Sequence, residues 1–571
     1  MTRIRITIWA IGLTFLLLLA GLFNLEVIHG RVFKGLGERN CIRLLSQRGS
    51  RGKIIDRNGV VIAGSRMSYD LMLTPQEYPL PQESIARITR VLGKNQKEAA
   101  KALERKYPLF SMPVTIVSNL DLKEAVALGQ LRLEFPYIAV WDNPVRSYPY
   151  SRAACHILGY LGQIDRWRLT KLEDYGYKTK DVVGFGGIEE KYDFYLRDEE
   201  GGVSFQVDHR GSMVRTLGFK PPVNGKDVQL TIDIKLQKIV EEAFAERKGA
   251  AVIMNPYTGE VMALTSSPGF SPEFFIREDN SLVSRIFNDP AAPLINRAIG
   301  GVYPAGSIFK LVVAIAALEN KKINRISSFL CQGSLRVGKQ DFKCWDTHGQ
   351  QNIISAIAQS CNVFFYRLGL LVGAQIIHDY ATKLGFAHST GIDLPYEKQG
   401  FIPSPLLRKL STLKGWFDGD TANLSIGQSE VLVTPLQVAR MMSVFANGGY
   451  LVTPYITKSI DGKGLDRYRK KPEKLNFKQE NIDIIKEGLR GTVSYQGGTG
   501  SVLSGLKVEV AGKTGTAQAP PKQSHAWFCG FFPFKEPRFV ICVLLENGGP
   551  GYNSCLIAKK IIEEMLIQGL I

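Results

Sequence analysis

A run of 18 uncharged residues at positions 6–23, ITIWAIGLTFLLLLAGLF, sets the first limit on how this chain can fold. As a helix it reaches the short end of what spans the hydrocarbon core of a bilayer. A cleavable signal would carry a shorter apolar core and then a small-x-small cleavage site. Here the run passes straight into Asn24-Leu25-Glu26-Val27, so a retained anchor is expected. Arg3 and Arg5 precede it and put the N-terminus on the cytoplasmic side. No second apolar run of that length follows. Everything beyond residue 30 is therefore expected outside the cytoplasmic (inner) membrane, on its periplasmic or extracellular side.

At 571 residues the chain exceeds what one hydrophobic core supports, and its 22% charged and 45% hydrophobic content is that of a folded protein. The formal charge of +18 fits either a solvated surface or attraction to anionic head groups. No helix-turn-helix, zinc-finger or RNA-binding signature accompanies it, so nucleic acid is not an expected partner. Eight scattered cysteines are too few for a disulfide scaffold.

The chain is read as an anchor at 1–30, a mixed, loop-rich stretch at 31–225 and a further domain at 226–571. In the loop-rich stretch, RGSRGKIIDRNGVVIA reads as strand, turn and strand around Asn58-Gly59. Apolar spacing of three and four predicts helices over 82–106 and 121–133. Residues 228–232 suit a strand, and Asp233 suits the N-cap of the helix that follows. Two apolar runs flank Asn255-Pro-Tyr-Thr-Gly259 as in a β-hairpin. The chain ends with two more apolar runs and a helix. A sheet built from both ends of the second domain, with helices inserted between, makes this a mixed α/β, multidomain chain.

Three short segments in that domain carry chemistry. Ser307 follows Tyr303-Pro-Ala-Gly306 and opens the apolar helix IFKLVVAIAALE, near the positive end of its dipole. Lys310, three residues on, shares its face. An N-capping serine and a snorkelling lysine would look the same in isolation. Yet a lysine inside so apolar a run is a candidate base, because burial and a neighbouring cation both lower its pKa. Lys513 is the expected neighbour. KVEVAGKTGTAQ alternates like a strand until Gly512.

Ser307-Ile-Phe-Lys310, Ser360-Cys-Asn362 and Lys513-Thr-Gly-Thr516, in that order, resemble the signature of the penicillin-binding proteins. The contexts YPAGSIFK and VAGKTGTAQ strengthen the likeness. So do Arg51-Gly52, Asp56-Arg57-Asn58-Gly59, Arg146, Tyr148-Pro149, His156, Leu158-Gly159-Tyr160 and Gly187-Ile-Glu189, which resemble the non-catalytic pedestal, or dimerisation domain, of class B members. Tyr303-Pro304, TGIDLP at 390–395, GDTANLSIGQ at 419–428 with VTPLQ, and Cys344-Trp345 with His348-Gly349 resemble the elongation type; the division type is the alternative. Ser429 departs from the glycine relatives often carry, with little expected consequence beyond loop shape.

The resemblance implies a β-lactamase-like domain with a central antiparallel sheet flanked by helices, and a peptidoglycan D,D-transpeptidase. Ser307 would be the nucleophile and Lys310 its base. Ser360 and Lys513 would relay the proton, and Asn362 would hold Lys310 and a substrate amide. Thr514, Gly515 and Thr516 would bind the substrate, with the Ser307 and Thr516 N–H groups as oxyanion hole. It implies as partners stem peptides and their lipid-linked precursor, β-lactams, and a membrane glycan polymerase of the shape, elongation, division and sporulation type. A β-lactamase would lack the pedestal and anchor, and a non-enzymatic β-lactam sensor would carry more membrane helices or a cytoplasmic domain.

No cofactor is needed for that chemistry. Some elongation-type members hold zinc with two aspartates, a histidine and a cysteine. His348 and Cys361 match the latter two, and Cys344 and Cys331 stand at or near the aspartates. Three thiols and an imidazole suit structural, tetrahedral zinc. A Cys331–Cys344 disulfide or plain buried thiols are the alternatives.

Overall fold

The computed structural model describes residues 2–34, 42–73, 82–92, 114–135, 138–179, 181–207, 213–276, 280–413, 415–466 and 469–571. The N-terminal run is helical as expected, Thr2–Phe23 continuing as one π turn over Asn24–Ile28. Together they form one helix long and apolar enough to cross a membrane. Within it the Thr7 and Thr14 hydroxyls donate to the carbonyls of Arg3 and Ala10, so neither is left unsatisfied in an apolar setting.

The chain divides into two compact units. The first takes in 1–52, 65–146 and 197–225. It holds a three-stranded antiparallel sheet, Ile42–Gln47, Gly201–Val207 and Met213–Lys220, and a separate small core of Leu71, Ile88, Leu92, Leu120, Leu128, Leu131 and Ile138. Two helices line that core. Gln82–Leu92 matches the start of the helix predicted over 82–106, the remainder of which lies outside the described residues. Leu122–Leu131 is capped by Asp121, whose carboxylate accepts from Glu124 N while Glu124 returns the bond.

The second unit draws 53–64 and 147–196 together with 226–571. Asn58-Gly59 makes the predicted turn, closed by buried Asp56, which accepts from the backbone N–H groups of Asn58 and Val60. Its other carboxylate oxygen accepts from Ile234 N at the start of helix α1 (Ile234–Phe244), which Asp233 caps as predicted. The hairpin strands are β1 (Gly249–Met254) and β2 (Val261–Ser267). Helices α2 (Lys310–Glu319), α3 (Asn362–Val372), α4 (Pro435–Ala446) and α5 (Gln479–Ser494) intervene. Strands β3 (Ala511–Ala519), β4 (Lys522–Phe532) and β5 (Phe539–Leu545) and helix α6 (Tyr552–Ile567) complete the unit.

The five strands form one antiparallel sheet in the order β2-β1-β5-β4-β3, so its first and last strands in sequence meet at its centre, β1 beside β5. Alternation explains why β5 is apolar throughout. Val540, Cys542 and Leu544 face the core of α2, α3 and α4, whereas Phe539, Ile541, Val543 and Leu545 face α1 and α6. Helices cover both faces, and β3 is left at an edge.

Two expectations change. The strand with the lysine motif begins at Ala511, where the alternation read from sequence was about to end, and runs through Lys513–Thr516. Val508 and Val510 are buried ahead of it without strand pairing, so their alternation reflects packing. Ser429, expected to matter little, sits at φ +66°, a left-handed conformation that favours glycine.

Candidate active site

Ser307 lies in a 3-10 turn, Gly306–Phe309, that runs directly into α2. The turn docks on β3 at a spacing that only glycine allows, since a Cβ on Gly306 would stand 2.9 Å from Thr516 O. One residue of the turn after another is buried, yet Ser307 itself stays half-exposed. Lys310 is the first residue of α2 and is wholly buried.

The second segment comes to Lys310 from a tight turn. Ser360 has φ +55° and directs its carbonyl at the Lys310 amine. Lys310 Nζ donates to Ser360 O at 2.7 Å, Ser360 Oγ at 3.2 Å and Asn362 Oδ1 at 2.7 Å, and it stands 5.5 Å from the Phe365 ring centre. These bonds occupy all three donors of an ammonium group. Burial holds the Lys310 amine down at about 7, against the opposing pull of the Cys344 and Cys361 thiols. Among the described residues Ser307 Oγ has no hydrogen bond, so the Ser307–Lys310 contact expected from the shared helix face is not yet closed; such contacts tighten on substrate binding.

Lys513 sits on β3, wholly buried, and donates to Thr514 O at 3.1 Å. Its pKa falls well below the ordinary lysine value, first from burial and then from the charge on Lys310. Burial is the dominant cause for both lysines, and like charge so close acts in the same direction. Thr514 Oγ1 pairs with Thr499 Oγ1 at 2.6 Å, and Thr516 Oγ1 accepts from Gly551 N at 3.0 Å. Gly515 faces the serine turn, where a Cβ would lie 3.1 Å from Ile308 Cγ1.

Three residues have no site role in the sequence analysis. Trp345 donates its indole N–H to the carbonyls of Gln359 and Ser360, steering the latter at Lys310. Thr499 meets Thr514 from a glycine-rich turn that carries no signal of its own. Gln428, the last residue of the GDTANLSIGQ segment, bridges Thr516 O and Gln518 N.

Cys331, Cys344, His348 and Cys361 converge, with their four ligand atoms all within 4.8 Å of one another. His348 Nδ1 is 3.7 Å from Cys331 Sγ and 3.5 Å from Cys344 Sγ. The four are free thiols and an imidazole, with no disulfide joining them. Hydrogen bonding with Cys361 pulls the Cys344 thiol down, and the same pairing together with burial pushes Cys361 up. The cluster touches the lysine site through Asn362, whose backbone N–H donates to Cys344 Sγ at 3.2 Å. Three soft donors and one imidazole at this spacing fit a tetrahedral zinc ion.

A buried lysine one turn beyond a half-exposed serine, facing a second buried lysine on an edge strand, is the arrangement of the penicillin-recognising serine acyltransferases. Comparison with known proteins agrees. Residues 249–566 match the penicillin binding protein transpeptidase domain and 46–230 the penicillin-binding protein dimerisation domain. The chain is 30% identical over 584 residues to the peptidoglycan D,D-transpeptidase MrdA of Acinetobacter baumannii, an alignment covering 98% of this chain and 87% of that one. The solved complex of PBP2 with MreC from Helicobacter pylori superposes with a TM-score of 0.80 at 26% identity, covering 93% of this chain and 99% of that one. A chain of a peptidoglycan synthase complex that coordinates polymerization and crosslinking superposes with a TM-score of 0.75 at 28% identity, covering 98% and 97%. The chain belongs to the class B penicillin-binding proteins of the PBP2 type, the peptidoglycan D,D-transpeptidases of cell elongation.

Proposed function

We propose that Ser307 Oγ attacks the carbonyl carbon of the terminal D-Ala-D-Ala bond of a stem peptide. The carrying observation is the Lys310 amine, buried one turn from Ser307 and held 2.7 Å from both Ser360 O and Asn362 Oδ1. As a neutral amine it keeps those two short bonds and frees a lone pair for the Ser307 proton. The oxyanion then lies against the N–H groups of Ser307 and Thr516, and one such donor is worth about 3 kcal/mol in the transition state. Collapse breaks the peptide C–N bond, and the proton passes through Ser360 and Lys513 to the departing nitrogen of D-alanine. An amine of a neighbouring strand attacks the Ser307 ester, forms the cross-link and restores the serine. Thr514 and Thr516 offer hydroxyls to the substrate carboxylate, and Gly515 lets its backbone come close. β-Lactams acylate the same serine.

In the same reading residues 1–30 anchor the chain with its N-terminus in the cytoplasm, 31–225 act as a pedestal, and 226–571 work outside the membrane. The likeness to a chain of a peptidoglycan synthase complex supports a membrane glycan polymerase as partner, with lipid-linked precursor and nascent strands as substrates. Cys331, Cys344, His348 and Cys361 would hold zinc. With all four positions filled, zinc would supply a cross-link and no acyl-transfer chemistry.

Labelling membranes with a fluorescent penicillin tests the reading. A stable adduct on the wild type and none on Ser307→Ala is expected. An adduct lost within seconds, or none at all, would refute it.

A further inference from the structure

We infer that the Gln428 side chain holds the place of the substrate backbone on the free edge of β3, and leaves it when an acyl donor binds. This rests on the reading of Ser307 as nucleophile. Strand β3 ends the sheet, so every second residue turns its backbone N–H and C=O outward. Thr516 and Gln518 are two such residues. Gln428 Nε2 donates to Thr516 O at 3.2 Å, and Gln428 Oε1 accepts from Gln518 N at 3.3 Å. One carboxamide thus supplies the donor and the acceptor that an extended peptide laid on this edge would bring.

The position conflicts with the substrate's. An acyl group whose oxyanion rests on Thr516 N–H must pass its own backbone beside the carbonyl of the same residue, and Gln428 already occupies that carbonyl. Neither bond is tight, both lying at the long end of the hydrogen-bond range. The backbone beneath is fixed independently: Gly427 O accepts from Gly306 N at 2.8 Å, and Gln428 N donates to Asn423 O at 3.1 Å. The side chain can therefore turn away without disturbing the serine turn. While in place it satisfies an edge that would otherwise stand open between turnovers, and it sets a threshold that a donor must exceed by making both bonds itself.

The test is penicillin acylation of the full chain in detergent, resolving the initial Kd from the limiting acylation constant, for wild type, Gln428→Ala and the equally long Gln428→Met. Expected is a Kd about three- to tenfold tighter in both variants, the value of about one hydrogen bond no longer displaced, with the acylation constant moving less than Kd. A side chain that only braced the loop would instead lower the acylation constant. In a structure of the wild-type adduct, Thr516 O should accept from the penicillin amide and Gln428 should have left it. An unchanged or weaker Kd in both variants, or Gln428 still on Thr516 O in the adduct, overturns the inference alone. A wild type that takes no penicillin overturns the Ser307 reading and this inference with it.

Discussion

Asn362 Oδ1 accepts a 2.7 Å hydrogen bond from Lys310 Nζ, across 52 positions of sequence. A neutral amide there tolerates the amine in either protonation state. A carboxylate would not. Asn362→Asp should hold Lys310 as ammonium and raise its pKa from about 7 to roughly 8 or 9, cutting penicillin acylation at neutral pH by about 5- to 50-fold. The loss should shrink as pH rises. Acylation rates measured across pH decide it, and an unchanged rate at neutral pH would argue against Lys310 as the base.

Gly427 should not tolerate a side chain. At φ +68° its Cβ would stand 2.3 Å from Gly306 O and 2.6 Å from Phe309 Cβ. Gly427→Ala must displace the turn that carries Ser307, and displacements of that kind cost on the order of 100-fold in rate. The expected result is at least a tenfold slower acylation with the thermal melt still cooperative.

His156 should set part of the acid sensitivity. It is buried, its Nε2 lies 2.6 Å from Pro293 O, and burial lowers its pKa from 6.5 to about 4. Between those values the unfolded chain binds a proton that the folded chain refuses, so stability falls as pH drops from about 7 towards 4. At about 1.4 kcal/mol per unit the loss approaches roughly 3 kcal/mol. His156→Gln keeps a donor for Pro293 O and should flatten that slope, read from melting temperatures at stepped pH.

If the thiol–imidazole cluster holds zinc, unfolding the purified protein beside a colorimetric zinc indicator should release about one ion per chain. Cys344→Ser should abolish the release and lower the melting temperature. Because Asn362 N donates to Cys344 Sγ, the same variant should also slow acylation. Release of no zinc from protein prepared without chelator would leave a thiol cluster only.

Much of the second unit can be read from residue pattern. Alternating or continuous apolar runs give β1, β2, β4 and β5, and Asp233 announces α1, because strand propensity and capping depend on neighbours close in sequence. The three site segments are legible for the same reason, each being a local turn or strand with its own residue requirements. The Thr499–Thr514 pair, the Trp345 indole on Ser360 O and the Gln428 bridge to β3 are not. Each joins segments whose approach depends on how helices pack on the sheet.

By itself, then, the sequence determined a membrane-length helix, a mixed α/β chain, and a serine, two lysines and four zinc-type ligands in a recognisable order. Only the tertiary structure decided that Lys310 and Lys513 are wholly buried, that the four ligand atoms meet, and that a glutamine lies on the edge where a substrate would pair. The physical reason is one of range. Helix and strand preferences are settled within a few residues, whereas desolvation and hydrogen bonds between distant segments exist only once the core has closed around them.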